Sequence, residues 1–385
     1  MREEIPLSTP KCRVLILSTV GGVGGASKVV ATLARGMRQL GVSTRLVFPD
    51  PPSKATTEAI AWLRSEAVEA EASPDLPAWN GSHGFRAMAR LRKFVRSSGA
   101  EATYLHYGSN QIAFRDVIAV RAARTGRCVV MVHHAVPIRG WRPRLMTRVG
   151  AGLAQRVVVS TPVMAELLTG IGVPRSKIAV IPLGVSPPGH TPTRAEARSM
   201  LSLPPDAFVV ATVARLDKGK NVPHLVRCVA TLVANGLDAH LLVAGLGEDF
   251  DHISRLIANA IPGRGHMLGR VDAIDDVYAA ADVFALPSAE EGFGLVFLEA
   301  AWHGVPSVAY AVGGVPYAIA HEVTGLLVDP GDENEFAVQL RRLAENSRLR
   351  VALGTAARHR VENKFSERLQ AERHLDQLLP GWRES

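Results

Sequence analysis

Cysteine is scarce: Cys12, Cys128 and Cys228 in a chain of 385 residues. They stand far apart in apolar contexts, which argues against a disulfide framework or a cysteine metal site and for small core residues in a reducing compartment. Aromatic residues are only 5% of the chain. No basic strand carries interleaved aromatics and no zinc-finger spacing occurs, so a nucleic-acid partner is not expected. No apolar run approaches the roughly 20 residues of a membrane span, and the polar start MREEIPLSTPK has no signal-peptide core. These absences predict a cytoplasmic protein. Acidic residues are thin in one half of the chain. Residues 1–190 hold 25 Lys/Arg against 11 Asp/Glu, and the remainder holds 19 against 25. From Arg86 to Arg156 the count is 14 basic and 2 acidic. With no nucleic-acid module to explain it, so dense a positive field expects an anionic small molecule or an anionic membrane surface.

The composition that remains, 47% hydrophobic and 21% charged, is that of a globular chain long enough for two domains. The first strand, 12–18, runs into the glycine turn Gly21-Gly22-Val23-Gly24-Gly25 and a helix over 26–40. A strand, a glycine turn and a helix predict a doubly wound sheet. The dinucleotide fingerprint fails, because Ser27 stands where its third glycine belongs, and Asp50 is set among prolines. Residues 51–83 read as a polar excursion, with the sequon Asn80-Gly81-Ser82 as a turn. The helix over 84–98 is basic and amphipathic. Phe85, Met88, Leu91 and Val95 form its apolar face, and Arg86, Arg90, Lys93 and Arg96 lie elsewhere. It is either a solvated helix packed by that face or a membrane-surface contact. Trp141, Arg142 and Arg144 add a second basic, partly apolar surface. Strands over 102–107 and 127–132 follow, the latter ending in His133-His134. Two histidines at the carboxyl end of a strand sit where open α/β sheets bind ligands.

After further strands over 156–160 and 177–181, residues 183–192 read as a linker, rich in Pro and Gly. A second β/α series begins there, with strands over 208–213, 240–244, 282–286, 307–310 and 326–328. After its first strand, Arg215 and Lys220 flank a short turn where two cations can neutralise a diphosphate. Asp249-Phe250-Asp251 imitates a metal-binding D-x-D, but at a helix start such carboxylates serve as caps. The focus of the chain is 287–304, PSAEEGFGLVFLEAAWHG. Gly292 and Gly294 open a helical run, and the first amides of a helix have no intrahelical partner, which suits a phosphate. Glu291 precedes the turn and Glu299 follows within LVFLEAAW. A carboxylate in so apolar a segment needs a partner. Either a core Arg or a backbone amide satisfies Glu299, or both carboxylates hold a polar ligand.

These pieces together resemble the retaining glycosyltransferases of family 4. The resemblance covers nearly the whole chain and is strongest over 213–332. It is carried by ARLDKGKN, AADVFALPSAEEGFGLVFLEAAWHGVPSVAY and AVGGVPYAIAHEVTGLLVDPGD, and in the first half by GGASKVVATLARGM, VHHAVP, VVVSTPVMAEL and IAVIPLGV. Glu291 and Glu299 match the family's E-x7-E motif. The resemblance implies a GT-B fold: α/β, with two Rossmann-like doubly wound domains facing across a cleft. Residues 1–188 would bind the acceptor and 189–365 the nucleotide sugar, with a helix at about 366–385 packing back on the first domain.

The resemblance also implies roles. Arg215 and Lys220 would grip the diphosphate, helped by the amides of Phe293, Gly294 and Leu295. Glu291 would face the donor sugar and Glu299 the ribose. Gly245, Arg270 and Val271 would line the donor, the latter two at the base. His133 would be the active-site histidine near the sugar, and Gly24 and Gly25 would approach donor phosphate and acceptor. No metal or other cofactor is expected, since fixed cations and oriented amides can stabilise the departing diphosphate. The implied partners are a UDP-sugar, or a GDP-sugar, and a glycan, lipid-linked or phosphorylated acceptor, with docking on the inner face of an anionic membrane left open. Arg86, Arg90, Lys93, Trp141, Arg142 and Arg144 are the candidates for acceptor or membrane. A sugar-nucleotide epimerase and an inactive nucleotide-sugar binder are the alternatives. Two positions depart from the family: Tyr317 stands where many relatives have Glu, and His134 where Asp or Gly is frequent.

Overall fold

The computed structural model describes residues 13–20, 22, 24–49, 52–74, 76, 84–109, 111–133 and 138–384. Two compact units emerge, one of residues 1–184 and 367–385 and one of residues 185–366. Cys12, Asp50, the sequon at 80–82 and His134 lie outside the described residues.

The first unit runs β1 (Val14–Ser18), α1 (Gly25–Gln39), β2 (Thr44–Pro49), α2 (Lys54–Ser65), β3 (Ala70–Ser73), α3 (Phe85–Ser98), β4 (Ala102–Tyr107), α4 (Phe114–Ala123), β5 (Arg127–Val132), α5 (Trp141–Leu153), β6 (Arg156–Val159), α6 (Pro162–Gly170) and β7 (Ile178–Val180). Its strands make one parallel sheet in the order β3-β2-β1-β4-β5-β6-β7. The central strands are buried on both faces, which is why they read as unbroken apolar runs rather than alternating ones. On one face Leu15, Leu17, Leu105, Val130 and Val157 pack against α3, α4 and α5.

Two expectations are corrected here. The stretch 51–83 is not only an excursion, for it contributes α2 and β3, an edge strand too short and too polar to announce itself. The apolar face of α3 is Ala87, Leu91, Phe94 and Val95, at the helical spacing i, i+4, i+7, i+8. Phe85 lies some 200° around the helix from Ala87 at 100° per residue and is 91% exposed.

The second unit runs α7 (Arg194–Met200), β8 (Phe208–Val213), α8 (Val222–Ala234), β9 (Ala239–Ala244), α9 (Phe250–Ala260), β10 (Gly265–Gly269), α10 (Ile274–Ala280), β11 (Val283–Leu286), α11 (Leu295–Trp302), β12 (Ser307–Tyr310), α12 (Val315–Ala318), β13 (Gly325–Val328), α13 (Glu333–Glu345) and α14 (Ser347–Lys364). Its parallel sheet has the order β10-β9-β8-β11-β12-β13, so β10, whose glycines and single apolar pair hide it in the sequence, joins as an edge strand. Asp249 occupies the N-cap position of α9, yet its side chain makes no capping bond.

The last helix, α15 (Glu367–Leu378), belongs to the first unit and crosses α1. Gly36 makes the crossing close: a Cβ there would stand 2.8 Å from the Glu367 carbonyl oxygen. Among the described residues no helix is long and apolar enough to cross a membrane.

Candidate functional site

Both sheets reverse their strand order beside the first strand, between β1 and β4 and between β8 and β11. Outside the carboxyl ends of the strands at such a point the loops part and leave room for a ligand. In the second unit β8 and β11 are direct neighbours, pairing Val210 with Val283 and Ala211 with Phe284. The loop after β8 carries Arg215 and Lys220; the loop after β11 carries Glu291.

Asp217 shapes the first loop. Its carboxylate accepts the Gly219 amide at 3.0 Å and the Arg215 guanidinium at 2.6 Å. Burial alone would raise the Asp217 carboxyl, but Arg215, the Gly219 amide and Lys220 outweigh it and hold it below its ordinary value. The second loop is tied to the first where the Ala289 amide donates to the Gly219 carbonyl at 2.8 Å. At the tips, Lys220 Nζ stands 2.5 Å from Glu291 Oε1, which also accepts Ser288 Oγ at 3.1 Å. The two charged side chains are 21% and 11% exposed. Arg215 is not drawn into this pair: it is 78% exposed and bonded to Asp217.

The backbone of Glu291 is fixed from behind. Its carbonyl accepts the Gly314 amide at 3.1 Å. Gly313 has φ +50°, and a Cβ there would fall 1.9 Å from the same carbonyl oxygen. Beyond Glu291 the chain turns at Gly294, φ +85°, into α11. Among the described residues the amides of Phe293, Gly294, Leu295 and Val296 have no backbone acceptor, the condition under which a helix start receives an anion. The Phe293 ring itself is buried against Phe365, 5.9 Å between centroids.

Glu299 is met by a tyrosine, a partner that the sequence did not single out. The Tyr278 hydroxyl donates to its Oε2 at 2.7 Å. Tyr278 in turn stacks on His303, whose Nε2 lies 3.0 Å from Asp275. Burial, and then the Glu299 charge, push the Tyr278 phenol well above its usual value. Farther along the same sheet edge, Gly245 at φ +141° lets the loop after β9 touch the Ala214 carbonyl, where a Cβ would collide at 1.8 Å. Its amide donates to Gly269, next to the exposed Arg270 and half-buried Val271.

Asp217, Ser288, Tyr278 and Gly313-Gly314 escaped the sequence. The nearest signal was the Asp-Lys-Gly run, where Asp217 stands two residues before the amide that it accepts.

In the first unit, Gly24 and Gly25 open α1 with ordinary backbone angles, and among the described residues nothing lies within 4 Å of where a Cβ would stand. Ser27, in place of the fingerprint's glycine, donates its hydroxyl to the Gly22 carbonyl. His133 is half-buried and enclosed at Nε2, and its ring meets His106 edge to face at 4.4 Å. Arg86, Arg90 and Lys93 are exposed on α3. Trp141 and Arg142 stack at 5.3 Å on α5, while Arg144 is tied to the Ile138 carbonyl at 2.8 Å. Cys128 and Cys228 are buried, and burial pushes both thiols up to about 12.

Comparison with known proteins agrees in both units. A family model described as Glycosyl transferases group 1 matches residues 193–360, and one described as Glycosyltransferase Family 4 matches residues 23–187. A D-inositol 3-phosphate glycosyltransferase of Actinosynnema mirum is 39% identical over 222 residues, covering 54% of this chain and 53% of the relative. That of Saccharomonospora viridis is 34% identical over 320 residues, covering 77% and 73%. The chain thus spans between half and three quarters of the length of these two relatives. The crystal structure of Anabaena Alr3699/HepE in complex with UDP superposes with a TM-score of 0.79 at 19% identity, over 94% of this chain and 98% of that one, a likeness of fold. With two Rossmann-like parallel sheets of the GT-B type, the chain belongs to the glycosyltransferases of group 1, its first half to family 4.

Proposed function

We propose that this protein moves a sugar from a nucleoside diphosphate sugar, UDP favoured, to a phosphorylated or lipid-linked acceptor with retention of configuration. The observation that carries the reading is the Lys220–Glu291 pair beside the unbonded amides that open α11. As the nucleotide departs, negative charge gathers on its phosphate oxygens. The Lys220 ammonium, Arg215 and the amides of Phe293, Gly294 and Leu295 stabilise that charge, already oriented and needing no metal. Glu291 takes hydroxyls of the donor sugar and Glu299 the ribose, with Gly245, Arg270 and Val271 along the nucleotide. Tyr278 keeps Glu299 aimed. His133, Gly24 and Gly25 are assigned to the sugar and its phosphate. The acceptor attacks the face that the nucleotide leaves, and the leaving phosphate takes its proton.

Preference for UDP is supported by the UDP-bound neighbour, and a phosphorylated acceptor by relatives named for inositol 3-phosphate. The basic first unit suits either anion. Its α5 also exposes Trp141, Leu145, Val149 and Leu153 at four-residue spacing, a stripe that supports docking on an anionic membrane.

A melting-temperature screen of UDP, GDP and their sugars tests the reading. A nucleotide at 100 times its Kd stabilises the fold by about 2.7 kcal/mol. UDP should raise Tm in the wild type and much less in Lys220→Ala. Equal shifts in both proteins, or none with any nucleotide, would overturn it.

A further inference from the structure

The first unit buries a second polar cluster. Tyr104 and His106 alternate along β4 and face the side of the sheet that α15 covers. His133, just past β5, meets the His106 ring. From the opposite side α15 brings His374 and, one turn earlier, Gln370, both buried. Tyr104 Oη lies 2.6 Å from His374 Nδ1, and Ser18 Oγ 2.8 Å from His106 Nδ1. Five enclosed polar atoms have no partner among the described residues: Nε2 of His106, of His133 and of His374, and both amide atoms of Gln370. Native folds leave only a few such atoms scattered through the chain, and a concentration of them in one small region is where buried water belongs.

The protons can be placed. Burial raises the Tyr104 phenol, so it keeps its hydrogen. With no other acceptor among the described residues, that hydroxyl donates to His374 Nδ1, and the His374 proton is on Nε2. Ser18 Oγ accepts the Val20 amide at 3.2 Å; taking its own hydrogen as the one directed to His106 Nδ1, 2.8 Å away, places the His106 proton on Nε2 as well. Burial holds all three rings neutral. It lowers His133 to about 4 and His374 to about 3, and it lowers His106 well below its usual value, with further pressure from the other two. The cluster is thus rich in donors: two imidazole N–H groups and the Gln370 amide. His133 Nε2, likewise without a partner among the described residues, lies beside these donors, its ring 4.4 Å from that of His106.

We propose that Gln370 and His374 are positioning residues that act through buried water to hold His133 as its Nδ1–H tautomer. The claim rests on the proposed part of His133 in sugar transfer only for its kinetic consequence. Nitrogen-15 NMR of the full chain, labelled at histidine, reads the tautomer directly, and donor turnover is measured beside it. In the wild type His133 should carry its proton on Nδ1. Gln370→Leu and His374→Phe should admit the Nε2–H form and lower kcat ten- to hundredfold, the usual effect of losing an outer-shell partner, with donor KM unchanged. His374→Gln, which keeps a donor, should restore much of both. If His374→Phe fails to fold, Gln370→Leu, close in size and apolar, decides alone. An unchanged His133 tautomer in Gln370→Leu would overturn the proposal whatever the rate. A changed tautomer with an unchanged rate would uphold the network and remove His133 from the reaction.

Discussion

Lys220 and Glu291 are joined at 2.5 Å although 71 residues separate them. Their loops leave adjacent parallel strands at the point where the sheet reverses, so the ion pair clamps the mouth of the crevice. The ammonium is held in place by the fold itself. Such preorganisation is what makes a fixed cation effective when charge develops.

Removing either partner separates two roles. Lys220→Ala should lower donor turnover about 10²–10³-fold, as the loss of one oriented donor does elsewhere. It also leaves the Glu291 carboxylate with Ser288 alone, costing about 1–3 kcal/mol of stability. Glu291→Gln should keep affinity for UDP, which has no sugar, while turnover of the UDP-sugar falls. Calorimetric titration with UDP and a donor hydrolysis assay check both. Loss of UDP binding in Glu291→Gln would contradict the assignment of Glu291 to the sugar.

The turn behind Glu291 gives a second expectation. Gly313→Ala forces a Cβ against the Glu291 carbonyl at a positive φ. Relief requires the Glu291 loop to move, so UDP-sugar binding should weaken at least tenfold and stability fall by about 2–4 kcal/mol. Gly331→Ala shares the positive φ, at +86°, but its Cβ would meet nothing within 4 Å. It should cost about 1 kcal/mol and leave binding unchanged. Denaturant midpoints and titration of both variants decide the matter.

Much of this site was legible in the letters because its parts are local. Apolar runs buried on both faces announce parallel strands, and glycines before LVFLEAAW announce a helix start. Cationic residues after a strand are visible wherever they end up. The partners were not legible, because the fold brings them from afar. Tyr278 reaches Glu299 over 21 residues and Gly314 reaches Glu291 over a strand, while His374 meets Tyr104 across 270. Phe85 misled for a different reason. A residue at the first position of a helix fits the apolar period by number, but whether it faces inward depends on the layer beneath.

Acid should weaken the fold in a defined window. A histidine lowered by burial binds fewer protons folded than unfolded, so its contribution is complete above about pH 6.5 and lost as pH falls toward the folded value. Between pH 7.5 and 5, His133 and His374 each lose about 2 kcal/mol. His106 acts in the same direction. Asp116 opposes them. Burial raises its carboxyl to about 7 despite the Tyr107 hydroxyl at 3.0 Å, so the folded chain holds the extra proton, and stability rises by about 2–3 kcal/mol as pH falls over the same interval. The sum still favours pH 7.5. Asp116→Asn should therefore stabilise the protein at pH 7.5 and steepen its decline toward pH 5, as urea unfolding at the two pH values would reveal.

The exposed face of the first unit makes the last expectation. Helices α3, α4 and α5 share one core layer, so the exposed residues of α3 and α5 belong to the same side of the sheet. Arg86, Arg90 and Lys93 project from α3, and Trp141, 69% exposed, opens the apolar stripe of α5. Near an anionic surface each cation contributes about 1 kcal/mol, and exposed charges are screened within roughly 3 Å at 1 M salt. The protein should sediment with anionic phospholipid vesicles at low salt and with neutral ones weakly. Serine at Arg86, Arg90 and Lys93 together should weaken that binding by about two orders of magnitude. Trp141→Ser should act differently, removing chiefly the binding that survives high salt, because an inserted ring is held by apolar burial and not by charge. Vesicle binding indifferent to both salt and lipid charge would contradict electrostatic docking, and absence of binding to anionic vesicles would leave the basic face to the acceptor alone.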